Sequence, residues 1–285
     1  MVQIVECPRD AMQGMKEFIS TKKKVRYINS LLKVGFHTID VGSFVSPKAI
    51  PQMADTAAVL DQIDLSETKS HLLAIVANLR GANDAVQHAS IKYLGYPFSI
   101  SETFQLRNTN ATIAESLERV KQIQELCINN NKELVLYISM GFGNPYGDDW
   151  NVEIVKKWVS KLADLEIKIF SLSDTIGVST PDSIAYLFSN LIPSHKELTF
   201  GAHLHTQPHN WKEKIESAYN NGCLRFDGAI KGYGGCPMAK DDLTGNMPTE
   251  NMVNYFDELG VLIDFNHQAF SKSMYLTNDT FPISH

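Results

Sequence analysis

Two histidines at strand spacing carry the clearest chemical signal in this sequence. His203 and His205 end the apolar run that starts at 198, and residues i and i+2 of a β-strand point to the same side. Both imidazoles can therefore face one point, and with a carboxylate they would form a divalent-metal site with open coordination positions. An isolated pair of this kind is as often only a polar strand end, so other groups must support the site.

Charged side chains stand where three other predicted strands end. Arg9 and Asp10 follow the first apolar run, Asp40 ends the segment Thr38-Ile-Asp, and Asp174 lies in Leu-Ser-Asp-Thr-Ile-Gly. Taken singly, the Arg-Asp pair is as typical of a structural salt bridge as of a functional site. An aspartate at a strand end is often a helix cap or turn former. Because all of them fall at the same end of predicted strands, together they indicate a site.

A glycine-rich segment late in the chain presents one thiol. In Gly232-Tyr-Gly-Gly-Cys-Pro-Met-Ala, Cys236 comes just after the last predicted strand. Glycine loops are commonly only turns, but one that carries a cysteine at an active face is a candidate lid. Asn246 and Glu250 follow this loop.

The donor types in these clusters indicate which metal ion they would hold. Carboxylate, imidazole and amide groups form a mixed oxygen and nitrogen set that suits Mg²⁺ or Mn²⁺ and does not exclude other divalent ions. The set contains no thiolate, so a closed structural zinc site is not expected. The candidate ligands are Asp10, His203, His205 and Asn246.

Short apolar runs alternate with amphipathic helical patterns along the chain, which is typical of βαβ units around a parallel sheet. Thr112 to Glu115 is a predicted capping box, and Thr180-Pro181 is an N-cap followed by proline at the first helical position. Ser20 or Thr21 can cap an early helix that Gly35 can end. The predicted strands begin near Val2, Thr38, His71, Ile91, Leu134, Lys168, Leu198 and Leu224.

Eight strand–helix units without a linker favour a closed (β/α)₈ barrel, the TIM-barrel fold, over an open doubly wound sheet. No GxGxxG segment or P-loop follows a strand, which weakens the nucleotide-binding alternative. We therefore expect a single α/β domain over 1–285 with a short helical C-terminal extension at 261–285. The apolar residues of that extension would pack on the barrel or on a second copy in a homodimer.

The composition excludes several classes of function. The 285 residues carry a net charge of −6, whereas a nucleic-acid partner would need a basic surface. The four cysteines are scattered without a CxxC pair, so neither a disulfide scaffold nor a zinc ribbon is expected. No apolar run approaches the roughly 18 residues of a membrane span. Without a targeting pattern at the N-terminus, we expect a cytoplasmic protein with no membrane partner.

Several segments resemble the signature segments of the 3-hydroxy-3-methylglutaryl-CoA lyase family. They occur in that family's order from residue 2 to about 260. The Arg-Asp start, the Asp-Thr-Ile-Gly segment and the histidine pair are shared more widely among metal-dependent barrel lyases and synthases, whereas the Ser43 and Gly234 segments are more specific to the lyase branch. The segments are Pro8-Arg-Asp-Ala-Met-Gln13, Ser43-Phe-Val-Ser-Pro-Lys48 with Pro51-Gln-Met53, Asp174-Thr-Ile-Gly-Val, His203-x-His205, and Gly234-Gly-Cys-Pro237 through Gly245-Asn246.

The resemblance implies cleavage of 3-hydroxy-3-methylglutaryl-CoA to acetyl-CoA and acetoacetate by metal-assisted retro-Claisen chemistry. It implies that Arg9 supports the enolate and that Cys236 lies on a closing loop. Proton handling would fall to Asp40, Asp174 or, transiently, His203. The four candidate ligands would bind the metal, and contacts to an acyl-CoA substrate would come from Gln13, Ser43, Lys48 and Glu250.

Two alternatives stay open beside this interpretation. One is a related metal-dependent aldolase, lyase or acyl-CoA synthase of the same barrel class, and the other is a barrel without catalysis. The sequence also departs from the family pattern. Thr206 stands where an acidic or amide residue is usual, Ala11 replaces a glycine, and the loop from Cys236 to Asn246 is one residue longer. These departures bear on the support of His205, on metal affinity and on substrate preference.

Overall fold

The computed structural model describes residues 1–235, 244–262 and 264–281. Strands and helices alternate through them, and the predicted strands are confirmed at close to their expected starts. The strands are β1 Gln3–Glu6, β2 Thr38–Ser43, β3 His71–Ile75, β4 Ile91–Ser99, β5 Glu133–Ser139, β6 Ile169–Asp174, β7 Thr199–Thr206, β8 Arg225–Gly228 and β9 Gly245–Asn246. The helices are α1 Pro8–Gln13, α2 Thr21–Leu31, α3 Thr56–Leu60, α4 Leu79–Val86, α5 Glu102–Thr109, α6 Ile113–Asn129, α7 Val152–Ala163, α8 Pro181–Ser194, α9 Trp211–Asn220, α10 Thr249–Glu258 and α11 His267–Thr280.

The strands β1 to β8 close into a parallel barrel. Each pairs with the next along the chain, and β1 pairs with β8 to complete the ring. The short strand β9 adds to β7 in the antiparallel direction, with His205 opposite Asn246. The predicted (β/α)₈ fold is therefore confirmed, and the carboxyl ends of the strands share one face.

Local signals explain where the helices begin. The Thr112 side chain accepts from the Glu115 amide while Glu115 reaches back to the Thr112 amide, so the predicted capping box is formed. Thr180 caps α8 in the same way, with Pro181 at the first helical position. Ser20 stands at the N-cap of α2 without a side-chain cap. The expectation that Gly35 ends this helix is wrong, because α2 stops at Leu31 and Gly35 lies beyond it in a left-handed turn.

Apolar packing holds the helices on the barrel. The largest cluster lies between strands and helices, and a smaller one that includes Leu73, Val135 and Tyr137 fills the barrel interior. The C-terminal helix α11 packs against α2, where the rings of Phe281 and Tyr27 meet edge to face at 5.5 Å. The extension therefore packs on the barrel, which is one of the two arrangements expected for it. Every helix in the described ranges is too short or too polar to span a lipid bilayer.

Candidate active site

The carboxyl ends of β1 and β7, together with β9, bring five polar side chains close to one another. The β1 strand runs directly into α1, which carries Arg9 and Asp10 at its start. His203 and His205 lie on β7, and β9 sets Asn246 beside His205. Residues separated by more than 200 positions therefore meet where the barrel closes.

Asp10, His203 and His205 form a group that could hold a metal ion. One ligand atom from each lies within 4.8 Å of the others, and His203 Nε2 is 3.7 Å from Asp10 Oδ2. Arg9 and Gln13 both donate to Asp10 Oδ1, at 3.1 and 2.5 Å, which leaves Oδ2 turned toward the imidazoles. Although burial raises the pKa of Asp10, the charges of Arg9 and the histidines outweigh it and hold that pKa below its usual value. The carboxylate is thus ionised, as a ligand must be.

Both imidazoles are anchored through the nitrogen that faces away from Asp10. His203 Nδ1 lies 3.2 Å from Asp227 Oδ2, and His205 Nδ1 lies 3.0 Å from the Thr175 carbonyl. An anchor of this kind fixes the tautomer and leaves the Nε2 lone pair available for a metal ion. Burial and the neighbouring His203 lower the pKa of His205 to about 4, so this ring is neutral at pH 7. Burial opposes protonation of His203 too, but Asp227 and Asp10 raise its pKa above the ordinary value.

The glycine-rich segment approaches this group through its backbone. Asn246 is buried, and its Nδ2 donates to the Tyr233 carbonyl at 2.8 Å. Gly234 has a φ of +85°, and a Cβ there would stand 2.5 Å from the Asp10 carbonyl oxygen. Only glycine permits so close an approach in that conformation. Cys236, the predicted thiol of this loop, lies outside the described residues.

Arg9 joins the group to a second carboxylate. Its Nε and Nη2 donate to Asp40 Oδ2 at 2.9 and 2.6 Å, while Nη1 donates to Gln13 at 2.9 Å. Burial raises the pKa of Asp40 to about 6, although the charge of Arg9 lowers it. The guanidinium reaches the cavity described next, whereas Asp40 is fully buried behind it.

A cavity of about 390 Å³ opens at this face of the barrel. Its lining includes Arg9, the group Asp10, His203 and His205, and the polar residues Ser139 and Ser173, together with a set of apolar residues. A lining of both kinds can hold a polar acyl group with an apolar or extended part beside it. The apolar lining residues are Val45, Ala49, Ile50, Ile75, Ala77, Pro97 and Phe104.

Some residues expected at the site do not line this cavity in the described part of the chain. The Asp174 carboxylate turns away, bound by Lys214 at 2.9 Å and by Ser179. Ser43 accepts from the Val45 amide, and Glu250 accepts from the Lys231 amide. Lys48 is exposed, while Gln13 does line the cavity.

Other residues of the site were not anticipated from the sequence. Asp227 supports His203, and Tyr137 lines the cavity with its ring edge-on to His203 at 5.7 Å. Asp227 lies near the end of β8, and an aspartate at a strand end is the same signal that marked Asp40 as a candidate. The Thr175 carbonyl is a backbone group and leaves no signal in the residue types.

Comparison with known proteins gives one consistent family. The HMGL-like family model matches residues 2–276. The cytoplasmic 3-hydroxy-3-methylglutaryl-CoA lyase of Danio rerio is 33% identical over 91% of this chain and 77% of its own length. The HMG-CoA lyase structure from Bacillus subtilis superposes with a TM-score of 0.91 at 30% identity, over 100% of this chain and 95% of that chain. A structure of the Acinetobacter baumannii HMG-CoA lyase in complex with coenzyme A and 3-methylmalate has a TM-score of 0.89 at 29% identity, over 98% and 91% of the two chains.

Proposed function

This chain belongs to the HMGL-like family of carbon–carbon lyases, and we propose that it cleaves 3-hydroxy-3-methylglutaryl-CoA to acetyl-CoA and acetoacetate. The observation that carries the proposal is the group Asp10, His203 and His205, set beside Arg9 in the wall of the cavity. The predicted family resemblance is confirmed by the comparisons, which do not favour another barrel enzyme or a barrel without activity.

Cleavage requires two events that water alone does not promote at neutral pH. The tertiary hydroxyl of the substrate must lose its proton, and the bond to the carbon next to the thioester must break with its electrons left as a thioester enolate. A divalent ion, Mg²⁺ or Mn²⁺, held by Asp10, His203, His205 and Asn246 would lower the pKa of that hydroxyl and orient it. The oxygen and nitrogen donors of these residues, with Nε2 of each ring turned inward, fit such an ion.

Arg9 is placed to stabilise the enolate oxygen. Its guanidinium is fixed by Asp40, Asp10 and Gln13, so it need not reorganise when negative charge develops. A preoriented cation that meets charge formed in the transition state lowers the barrier more than it tightens substrate binding.

The proton of the substrate hydroxyl must pass to a base at the cavity. Asp40 is sealed behind Arg9 and Asp174 behind Lys214, so neither reaches a hydroxyl in the cavity. His203 does line the cavity, and Asp227 at its Nδ1 balances the positive charge of a proton taken up at Nε2. A ring whose Nε2 binds a cation cannot take up a proton there, so Asp10, His205 and Asn246 would have to hold the ion without His203 while His203 accepts the proton.

The enolate then needs a proton to become acetyl-CoA. We assign this donation to Cys236, whose family position is on the loop that follows Gly235, a residue of the cavity wall. A thiol is a stronger acid than an alcohol and can donate its proton to the enolate carbon. The thiolate would then regain the proton that the base had taken from the hydroxyl, which returns both groups to their starting states.

The acyl part of an acyl-CoA substrate would enter this cavity, and a bacterial homologue has been solved with coenzyme A. Gln13 touches the cavity and can contact the acyl group, whereas Ser43, Lys48 and Glu250 would act from its surroundings. We further propose a homodimer in the cytoplasm, the compartment named for the Danio rerio relative.

The proposal is tested by an acetoacetate assay on the purified protein. With 3-hydroxy-3-methylglutaryl-CoA, we expect turnover that Mg²⁺ or Mn²⁺ supports and EDTA abolishes. A parallel screen with 4-hydroxy-2-oxo acids should give little product. Preferred cleavage of such an acid would move the chain to another reaction of the same barrel class, and no turnover with either substrate would refute the proposed activity.

A further inference from the structure

Lys214 is a buried cation next to the candidate site. It lies on the packed face of α9 with 1% of its side chain exposed. An ammonium group removed from water needs an acceptor for each of its protons. Lys214 Nζ donates to Asp174 Oδ2 at 2.9 Å, to the His205 carbonyl at 2.9 Å and to the Gly177 carbonyl at 3.4 Å.

These contacts hold His205 from two directions. Its ring nitrogen Nδ1 contacts the Thr175 carbonyl at 3.0 Å, and its own carbonyl accepts from Lys214. Asp174, which precedes Thr175, links Lys214 to the same loop, and Ser179 binds both oxygens of Asp174. The loop after β6, the end of β7 and helix α9 therefore meet at one ammonium group.

The residue next to His205 does not give this support. Thr206 is uncharged, and its hydroxyl donates to the Asn246 carbonyl at 3.4 Å. The His205 carbonyl is held instead by Lys214, which is nine residues further along the chain, and its ring is held by the Thr175 carbonyl.

We propose that Lys214 is a positioning residue for His205, and that it holds Nε2 of that ring toward Asp10 through the Asp174 loop. The inference rests on the proposed function, since it concerns His205 as a metal ligand. A misplaced ligand lowers the affinity of the protein for the ion, and any effect on the reaction follows from that loss. Loss of Lys214 should therefore lower metal affinity in a protein that is still folded.

The test removes both charges of the pair, because one charge left alone in the interior would destabilise the whole barrel. The double variant Lys214→Met/Asp174→Asn is compared with Lys212→Met, an exposed lysine on the same helix. Isothermal titration with MnCl₂ gives Kd, and the Tm in EDTA reports folding without metal. We expect Kd to rise by about 10- to 100-fold in the double variant and to stay within about twofold in the control. A folded double variant with wild-type Kd would overturn the inference.

A second variant covers the case in which the double variant does not fold. Lys214→Arg keeps the charge but replaces the compact ammonium with a planar fork, so a raised Mn²⁺ Kd supports the positioning role and a wild-type Kd overturns it. If the wild type binds Mn²⁺ but does not cleave 3-hydroxy-3-methylglutaryl-CoA, only the proposed function falls, and the Kd comparison still decides the role of Lys214. If the wild-type protein binds no Mn²⁺, both the proposed function and the positioning role of Lys214 are refuted.

Discussion

Arg9 donates hydrogen bonds from two of its nitrogens to a single oxygen of Asp40, at 2.9 and 2.6 Å. The other oxygen, Asp40 Oδ1, is buried and has no hydrogen-bond partner among the residues of 1–235, 244–262 and 264–281. The carboxylate is therefore oriented by the guanidinium, and the guanidinium in turn depends on a carboxylate whose pKa burial raises to about 6.

Replacing Asp40 by Asn should show how far catalysis depends on this contact. We expect kcat/KM to fall by about 100-fold, because a misplaced Arg9 no longer meets the enolate oxygen. In the wild type, protonation of Asp40 weakens the pair, so kcat/KM should fall as the pH drops through about 6. Protonation of His203 also lowers activity at acid pH, so the test compares the steepness of the two profiles. An Asp40→Asn profile that falls as steeply as the wild-type profile below pH 6 would contradict this account.

Arg9→Gln should lower kcat by about 100- to 1000-fold, the size of effect typical of losing one oxyanion-stabilising group. The fold should survive, because burial raises the pKa of Asp40 and Arg9 lowers it, so loss of Arg9 raises that pKa further and Asp40 can take up a proton. Steady-state kinetics and a melting curve check both statements. Arg9→Lys should also be poorly active, since an ammonium cannot bind Asp40 in a forked geometry. Turnover close to wild type in Arg9→Gln would reject its role.

His203→Ala and His205→Ala should each weaken Mn²⁺ binding by about 100-fold or more, since each removes a proposed direct ligand. Isothermal titration measures the effect. The exposed His209 offers a matched control, and His209→Ala should bind Mn²⁺ as the wild type does. Unchanged affinity in either ligand variant would exclude that histidine from the site.

Cys236→Ala should reduce kcat by orders of magnitude and leave Mn²⁺ affinity unchanged, because the thiol is proposed to donate a proton and not to bind the ion. The assay follows acetyl-CoA formation beside a titration with MnCl₂. Nearly normal turnover would rule out Cys236 as the donor, and weaker Mn²⁺ binding would point to a different role.

Glu6→Gln should stabilise the protein at alkaline pH. Burial raises the pKa of Glu6 to about 8 against hydrogen bonds from Thr249 and the Ile230 amide. The folded state then holds a proton that the unfolded state loses above about 4.5, so the free energy of unfolding falls as the pH rises from 4.5 to 8. We expect the variant to raise Tm by about 4 °C at pH 8 and by less at pH 5. Glu17→Gln, at an exposed position, is the control. Equal shifts at both pH values would argue against a protonated Glu6.

Much of the architecture follows from local sequence signals. The capping boxes at Thr112 and Thr180 depend on residues within one helical turn, so the residue types alone place them. The histidine pair is equally local, because its geometry depends only on strand alternation. These features could be predicted since no distant contact decides them.

The direction of Asp174 could not be predicted in this way. His203 faces the interior, and its register partner on β6 is Ser173, so the next residue, Asp174, points to the outside of the barrel. The side of the barrel that Asp174 faces depends on how the two strands align, and a shift of one residue would reverse it. Lys214 is likewise a lysine on a packed helix face, and its partners come from the loop after β6 and the end of β7.

The order in which the proposed ligands occur along the chain has a consequence for biosynthesis. Asp10 is made first of the four, His203 and His205 follow after most of the barrel strands, and Asn246 comes last, on the strand that pairs with β7. A nascent chain therefore cannot assemble the proposed cation site until β9 has been made. A premature stop before Asn246 yields a product with an incomplete set of proposed ligands, however much of the barrel it contains.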